Sequence, residues 1–443
     1  MFVTLAAAVR ALVTWRTVMP SRDGATYLWM AERVAAGDVG AAFRTVFHPA
    51  YPLVTGACLA LFPSLSPMLT GQLVGLVCGA LAVWPLWLMT VHCFGAWAGR
   101  LAATFYAFGL WFARYPAECH SEGCFYAAVT VWGWALLGAR VRPGWAGVAV
   151  AAAYATRPEG LALLFLGWLR LQLVERAGRA LFLTVAVLLG ACVPLGYAVF
   201  GPGFTLTPKA AFNYDVGVGA ADPPVAHYVQ HALRVPGSAF DAIGYLLLPL
   251  ALAGLWSLWR SNKLGWSAPA LWLAAPLALQ AVVVPLLRSH ARFLSGFGVL
   301  LLPLAAVAAV GLVRGRTTRW LTALLVLLPD LVRLPMGRGA DRVVERDLGT
   351  WLRPRVRPGE FIATEMPRLE YFAGLQPGPP RAITRDELLR AAALPNARFT
   401  VVVAPRSNIT ALDLESLGLR AVSLPESMST LVRERDLLVY ERE

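Results

Sequence analysis

Lysine is almost missing from this chain. Only Lys209 and Lys263 occur among 443 residues, and every other basic side chain but six histidines is arginine. Charge of any kind is scarce, at 15%, where a soluble domain carries roughly 25%. What charge there is falls in short clusters between long apolar runs. No Gly-rich phosphate loop is visible, so no nucleotide cofactor is expected. The six cysteines have no metal-ligand spacing. Cys58, Cys78 and Cys192 lie in apolar runs and read as packing residues. Cys119 and Cys124 flank a loop, where pairing would require an oxidising compartment.

Apolar residues make up 58% of the chain, with 16 Trp and 20 Phe, and the mean hydropathy is +0.58. A water-soluble fold with this pattern would expose far too much apolar surface, and aromatic rings favour membrane interfaces. The chain therefore reads as a polytopic integral membrane protein. Its formal net charge of +13 would suggest nucleic acid in a soluble protein. Here the basic residues sit beside hydrophobic runs, so membrane topology accounts for them better and no nucleic-acid partner is expected. Arg10 and Arg16 interrupt the first apolar stretch, which reads as a first spanning helix and not as a cleaved leader.

A spanning helix takes about 20 apolar residues. Candidate spans are 1–19, 67–92, 97–113, 122–139, 144–156, 159–173, 180–200, 240–259, 265–286, 292–313 and 320–336. The run at 50–63 is short for a full crossing and reads as re-entrant or half-spanning, which makes about 11 to 12 membrane helices in all. Arg140 and Arg142, then Arg170, Arg176 and Arg179, then Arg260 and Lys263, then Arg314, Arg316 and Arg319 recur at every second loop and should be cytoplasmic. The intervening loops 114–121, 157–158, 201–239 and 287–291, and the tail after 336, are then external, as are residues 20–49. That last segment is expected to hold interfacial helices, the first starting at Gly24 or Ala25 with Asp23 as its cap. Residues 1–336 thus form an all-α membrane domain, and residues 340–443 a soluble extracytoplasmic α/β domain. In the latter, Phe361–Thr364, Phe399–Ala404 and Leu437–Glu441 read as strands, and Arg385–Ala392 and Leu412–Leu417 as helices.

Five clusters carry polar chemistry. The first is Ser21-Arg22-Asp23-Gly24 with Tyr27, Gly37-Asp38 and Phe47-His48-Pro49-Ala50-Tyr51-Pro52. Asp23 reads either as a helix cap or as a general base that takes a proton from an attacking hydroxyl or amine. The second is Arg114 to Glu122, an interfacial loop whose charges are costly unless paired or functional. Either Glu118 or Glu122 pairs with Arg114, or Glu122 serves a site; His120 between two Glu and two Cys is a weak metal candidate. In the third, Thr156-Arg157-Pro158-Glu159-Gly160, Pro158 disfavours helix at Arg157, and Arg157 and Glu159 either pair or line a wet cavity. The fourth is Lys209, after Thr207-Pro208, which is either solvent-exposed or a point charge for phosphate. The fifth, Arg288-Ser289-His290-Ala291-Arg292-Phe293, puts two Arg and a His at an external boundary, against the positive-inside trend. An anionic lipid head group would explain it.

The order of these motifs along residues 15–315 resembles the membrane glycosyltransferases of the GT-C class, in particular the bacterial relatives of protein O-mannosyltransferases and aminoarabinose transferases (glycosyltransferase family 39-like). The residues that carry the likeness are Arg22-Asp23-Gly24 with Tyr27-Leu28, Gly37-Asp38, His48-Pro49-Ala50-Tyr51-Pro52, Ser121-Glu122, Arg157-Pro158 and Arg292-Phe293. The resemblance implies a hexosyl- or pentosyltransferase in a bacterial plasma (inner) membrane. Its donor would be a polyprenyl-phosphate sugar and its acceptor a protein, lipid or glycan, with transfer at the outer face and inversion at the sugar. It makes Asp23 the base. Glu122 would orient the acceptor or help hold a divalent cation. Arg292, Arg288, Arg157 and Lys209 would meet the donor phosphate, with His48, Tyr27, Glu159 and His290 in support. The rival class is a polytopic transporter or lipid flippase, which would usually show inverted halves with matching broken helices; no internal repeat of that kind is apparent.

Overall fold

The computed structural model describes all residues except 177, 202, 207, 209–223, 262–264, 288–290, 314, 335, 337–338, 340–341, 378–384 and 443. The chain divides into two units. One consists of Met1–Arg16 and Ala31–Met336, the other of Thr17–Met30 and Gly337–Glu443.

The regular elements of the first unit, among the described residues, are helices. Its helices run Phe2–Arg16, Ala50–Leu61, Pro67–Leu81, Val83–Phe94, Ala96–Phe108, Leu110–Ala117, Glu122–Leu137, Pro143–Thr156, Gly160–Leu173, Arg179–Gly190, Cys192–Phe200, Pro224–Ile243, Leu247–Arg260, Pro269–Leu287, Ala291–Gly298, Leu302–Leu312 and Arg316–Arg333. Local chemistry sets several of the breaks. Ser66 caps Pro67–Leu81 by accepting from the Leu69 N–H at 3.2 Å, with Pro at the first turn. Gly95, at φ +88, separates Val83–Phe94 from Ala96–Phe108, a conformation that costs glycine little. Where a loop was expected at 114–121, Leu110–Ala117 is helical despite Pro116, and only Glu118–Ser121 turn.

Among the described residues three helical stretches are long and apolar enough to cross a membrane: Pro67–Phe94, Arg179–Phe200 and Ala291–Leu312. Tyr228–Ile243 and Leu247–Arg260 qualify together but bend by 102° at their junction. Ala50–Leu61 and Gly160–Leu173 are apolar but shorter. Of the three long stretches, Ala291–Leu312 is the most enclosed, with 83% of its apolar window buried. It contributes Phe297 and Leu300 to a core that also includes Trp132, Phe125 and Tyr126. Large apolar side chains such as Trp84, Leu188, Trp259 and Leu325 are instead exposed, which fits a lipid-facing surface and not an aqueous one. The chain is an integral membrane protein by this character, mostly helical with one small sheet.

That sheet belongs to the second unit. Strands β1 (Phe361–Thr364), β2 (Ala397–Val403), β3 (Leu419–Ala421) and β4 (Leu437–Arg442) lie in the order β1-β2-β4-β3. β1 and β2 are parallel, and β4 is antiparallel to both β2 and β3. Alternation along β2 puts Phe399 and Val401 in one core with Leu348 and Leu369, and Val402 in another with Leu388 and Leu414. Residues 17–30 group with this unit through specific contacts. Arg22 donates from Nη2 to the Glu365 carbonyl at 2.9 Å. Gly339, at φ +84, sits so close to Met19 that an added Cβ would lie 2.7 Å from the Met19 Cβ.

One capping assignment is corrected. The helix Arg22–Ala35 starts before the expected Gly24, and the Ser21 Oγ accepts from the Gly24 N–H at 2.8 Å. Ser21 is the cap, and Asp23 lies inside the first turn. All six cysteines are free thiols, so Cys119 and Cys124 are not paired.

Candidate active site

A polar cluster in the first unit gathers on Glu122. This residue opens the helix Glu122–Leu137, where a carboxylate is favoured by the helix dipole. The next residue, Gly123, lets the helix Pro67–Leu81 approach: a Cβ there would lie 2.4 Å from the Gly75 carbonyl oxygen. Glu122 is fully buried, at 0% exposure, so its charge must be matched by partners.

Two arginines supply the match, from chain positions far apart. Arg157 donates from Nη1 to Glu122 Oε1 at 2.5 Å. Arg292 donates from Nε to the same oxygen and from Nη2 to Glu122 Oε2 at 3.3 Å. Arg157 stands where the helix Pro143–Thr156 has ended. Its backbone is extended, at φ −156 and ψ 142, as a residue before proline prefers. The chain then turns sharply into the next helix through Gly160, where a Cβ would meet the Tyr154 nitrogen at 2.3 Å. The rest of the Arg157 fork goes to Glu159, with Nη2 to Oε1 at 2.8 Å and Nε to Oε2 at 3.3 Å. Phe125 and Phe293 flank the guanidinium, their centroids 5.7 and 5.9 Å from its carbon.

A histidine and a further carboxylate extend the cluster. His120 places Nδ1 3.9 Å from Glu122 Oε2 and Nε2 3.8 Å from Glu118 Oε2. On the other side, Tyr126 donates to Ser295 Oγ at 3.2 Å, and Ser295 donates to the Arg292 carbonyl at 2.9 Å. The backbone that carries Arg292 is thus tied to the same helix as Glu122. Glu122 and Glu159 balance Arg157 and Arg292 in formal charge, two against two. The result is a pair of guanidiniums held in fixed positions by carboxylates, and guanidinium forks are donors that suit an oxyanion.

The structure therefore brings Glu122, Arg157, Glu159 and Arg292 into one site. The alternative reading, in which Glu118 or Glu122 pairs with Arg114, is not found among the described residues. Arg114 instead donates to the carbonyls of Arg333 and Met336. His48 lies elsewhere in the same unit, 1% exposed, with its ring edge-on to Tyr154 and Tyr197 at 5.4 and 6.3 Å. Asp23, partly exposed, and Tyr27, buried, belong to the second unit. Lys209, Arg288 and His290 lie outside the described residues. Among the described residues no three His, Cys, Asp or Glu side chains converge as metal ligands. Glu122, engaged by two cations, is a poor ligand for a third. The sequence offers Glu118 as a partner for Arg114; its contact with His120 has no signal in the spacing.

Comparison of the whole fold defines its class. The chain has the fold of the GT-C glycosyltransferases. The likeness includes ArnT from Cupriavidus metallidurans bound to undecaprenyl phosphate, at 14% identity over 99% of this chain and 97% of that one, with a TM-score of 0.66. It includes the Archaeoglobus fulgidus oligosaccharyltransferase in complex with Zn and sulfate, at 16% identity over 91% and 68%, with a TM-score of 0.63. The AglB oligosaccharyltransferase of the same organism, with an inhibitory peptide and a dolichol-phosphate, gives 15% identity over 90% and 69%, with a TM-score of 0.63. No protein-family model matches the chain, and no curated protein matches it by sequence. At these identities the likeness is one of fold.

Proposed function

We propose that this protein is a glycosyltransferase that moves a hexosyl or pentosyl group from a polyprenyl-phosphate donor to a hydroxyl or amine. The observation that carries the reading is the clamp of Arg157 and Arg292 on the buried Glu122. A polyprenyl-phosphate leaving group gains negative charge as its bond to the sugar breaks. Fixed guanidiniums at that point stabilise the transition state more than the ground state. Glu122 then acts as a positioning residue that holds both forks in place. The fold supports the same class, since its likenesses include ArnT bound to undecaprenyl phosphate and AglB with a dolichol-phosphate.

In the proposed reaction the acceptor oxygen or nitrogen bonds to the anomeric carbon as the carbon–oxygen bond to phosphate breaks. The sugar passes through an oxocarbenium-like state. Asp23 takes the acceptor's proton, and polyprenyl phosphate leaves with the bonding electrons. A single displacement inverts the anomeric centre and needs no covalent sugar–enzyme intermediate. On this reading residues 1–336 form a membrane domain of about 11 to 12 helices, and the C-terminal domain and the active site face the outside of a bacterial inner membrane.

The test is release of polyprenyl phosphate by the purified full-length chain in proteoliposomes containing undecaprenyl-phosphate sugars and candidate acceptors. Acceptor-dependent release that falls at least a hundredfold in Arg292→Gln supports the reading. Movement of the donor across the bilayer with no release would favour the flippase class and sink it.

A further inference from the structure

Elsewhere in the first unit, two arginines share one indole. The guanidinium carbon of Arg100 lies 4.9 Å from the ring centroid of Trp97, and that of Arg319 lies 5.2 Å from the same ring. Trp320 meets Trp97 edge-on at 6.1 Å. Trp97 and Arg100 stand near the start of the helix Ala96–Phe108, and Arg319 and Trp320 near the start of Arg316–Arg333. The two helices pack on each other. The site is remote from the Glu122 cluster. Trp97 precedes Tyr106 by nine residues, about 14 Å along a helix, and it is Tyr106 that meets Tyr126, one turn beyond Glu122.

The positive charge here has no match along its own segments. No Asp or Glu occurs between positions 39 and 117, or between 242 and 329. Among the described residues neither guanidinium forms an ion pair, and the buried Nε of Arg319 has no hydrogen-bond acceptor. Both charges sit against one ring, so they lie within roughly a Debye length of each other, about 10 Å at 0.1 M salt, and they repel. Arg316 adds a third charge in the first turn of its helix, where the dipole disfavours cations. The indole offsets part of this cost through cation–π attraction. An anion between the two forks turns the repulsion into two attractions, because guanidiniums match phosphate oxygens in pairs.

An apolar stripe continues from the charges. Trp320, Leu321, Leu324, Leu325 and Leu328 are all exposed. Their spacing of i, i+1, i+4, i+5 and i+8 puts them on one face of Arg316–Arg333. A soluble anion makes no use of such a face, whereas an amphiphile does. The loop at 314–319 is among those expected on the cytoplasmic side, where anionic lipids make the membrane surface negative, and Trp rings favour the head-group level. We infer that Arg100, Arg319 and Trp97 form a binding site for the phosphodiester head group of an anionic phospholipid, whose acyl chain lies along the leucine stripe. This site is separate from the proposed transfer chemistry and does not depend on it.

The test is native mass spectrometry of the delipidated full chain in detergent, titrated with phosphatidylglycerol, phosphatidylcholine or glycerol 3-phosphate. Arg100→Gln/Arg319→Gln is compared with Arg176→Gln/Arg260→Gln, which removes the same charge from exposed positions in two other arginine-rich loops. Expected is a phosphatidylglycerol site at least about tenfold tighter than any for phosphatidylcholine. Its affinity falls about tenfold or more in the first variant and is unchanged in the second. Arg100→Lys/Arg319→Lys, which keeps the charge and loses the forks, is expected to recover only part of that affinity, and it decides the matter if the glutamine variant does not fold. Wild-type affinity in either Arg100/Arg319 variant overturns the site, as does equal affinity for the two lipids. Equal losses in the two glutamine variants would assign binding to bulk charge and overturn it as well. Glycerol 3-phosphate binding as tightly as phosphatidylglycerol would make the ligand a free phosphate and overturn the lipid assignment.

Discussion

Arg292 addresses Glu122 through one edge of its guanidinium, Nε to Oε1 and Nη2 to Oε2, across 170 residues of sequence. A fork held this way cannot rotate, and Arg157 shares the Oε1 oxygen. Removing the carboxylate's charge takes a shared partner from both arginines, with Arg157 keeping Glu159. Breaking a buried pair in this manner costs about 3–5 kcal/mol. Glu122→Gln, which keeps the shape and loses the charge, is expected to lower the melting temperature in detergent and to abolish transfer. A variant with wild-type melting and wild-type activity would show that the clamp positions nothing.

Asp23 and Ser21 separate chemistry from capping at neighbouring positions. Ser21 supplies the cap through the Gly24 N–H. Asp23 lies in the first turn, where the helix dipole favours a carboxylate by about 0.3–1 kcal/mol. Asp23→Asn is therefore expected to melt close to wild type while losing at least a hundredfold in activity, in line with general-base contributions of about 10²–10⁴. Ser21→Ala should do the reverse, costing about 1 kcal/mol of stability with transfer largely retained. Comparable activity in Asp23→Asn and wild type would remove Asp23 from the mechanism.

The sequence announced much of this fold because hydropathy is a local property. The runs at 122–139, 144–156 and 159–173 became the helices Glu122–Leu137, Pro143–Thr156 and Gly160–Leu173. The alternation at Phe361–Thr364 became β1, while three-residue β3 at Leu419–Ala421 is too short to carry a pattern. Site residues were legible as types in costly places: a glutamate at a membrane edge, arginines against the positive-inside trend. Their partners were not. Glu122 reaches Arg157 over 35 positions and Arg292 over 170, and no spacing rule encodes such pairs. The bidentate pair of Arg368 with Glu345 in the second unit was missed for the same reason. Ser21 and Asp23 are both capping types, so sequence alone could not choose between them.

Gly123 provides a test of how far the site depends on helix packing. A methyl group there would meet the Gly75 carbonyl at 2.4 Å, and that atom is backbone, which cannot swing aside. Overpacking of this kind costs about 1–3 kcal/mol and pushes the adjacent Glu122 away from its arginines. Gly123→Ala is expected to lower both melting temperature and turnover. Gly95→Ala offers the contrast: φ is +88 there, but no atom lies within 4 Å of the added Cβ. It should lower stability through backbone strain alone and leave turnover of the folded fraction unchanged. Equal effects of the two substitutions on turnover would detach the site from this helix contact.

Membrane sidedness decides whether Asp23 can serve the proposed reaction. The arginine-rich loops at 140–142, 170–179, 260–263 and 314–319 are expected to be cytoplasmic, which would place residue 23 outside only if the run at 50–63 does not cross. That run forms the helix Ala50–Leu61, about 18 Å long at 1.5 Å per residue, against a hydrocarbon core of about 30 Å. A helix of that length falls short of a full crossing. Asp23→Cys, in a background with the six free cysteines replaced, is therefore expected to react in intact cells with a membrane-impermeant thiol reagent. Labelling only after permeabilisation would put residue 23 in the cytoplasm. The proposed base and an outward-facing transfer would then be incompatible, whatever the Glu122 cluster binds.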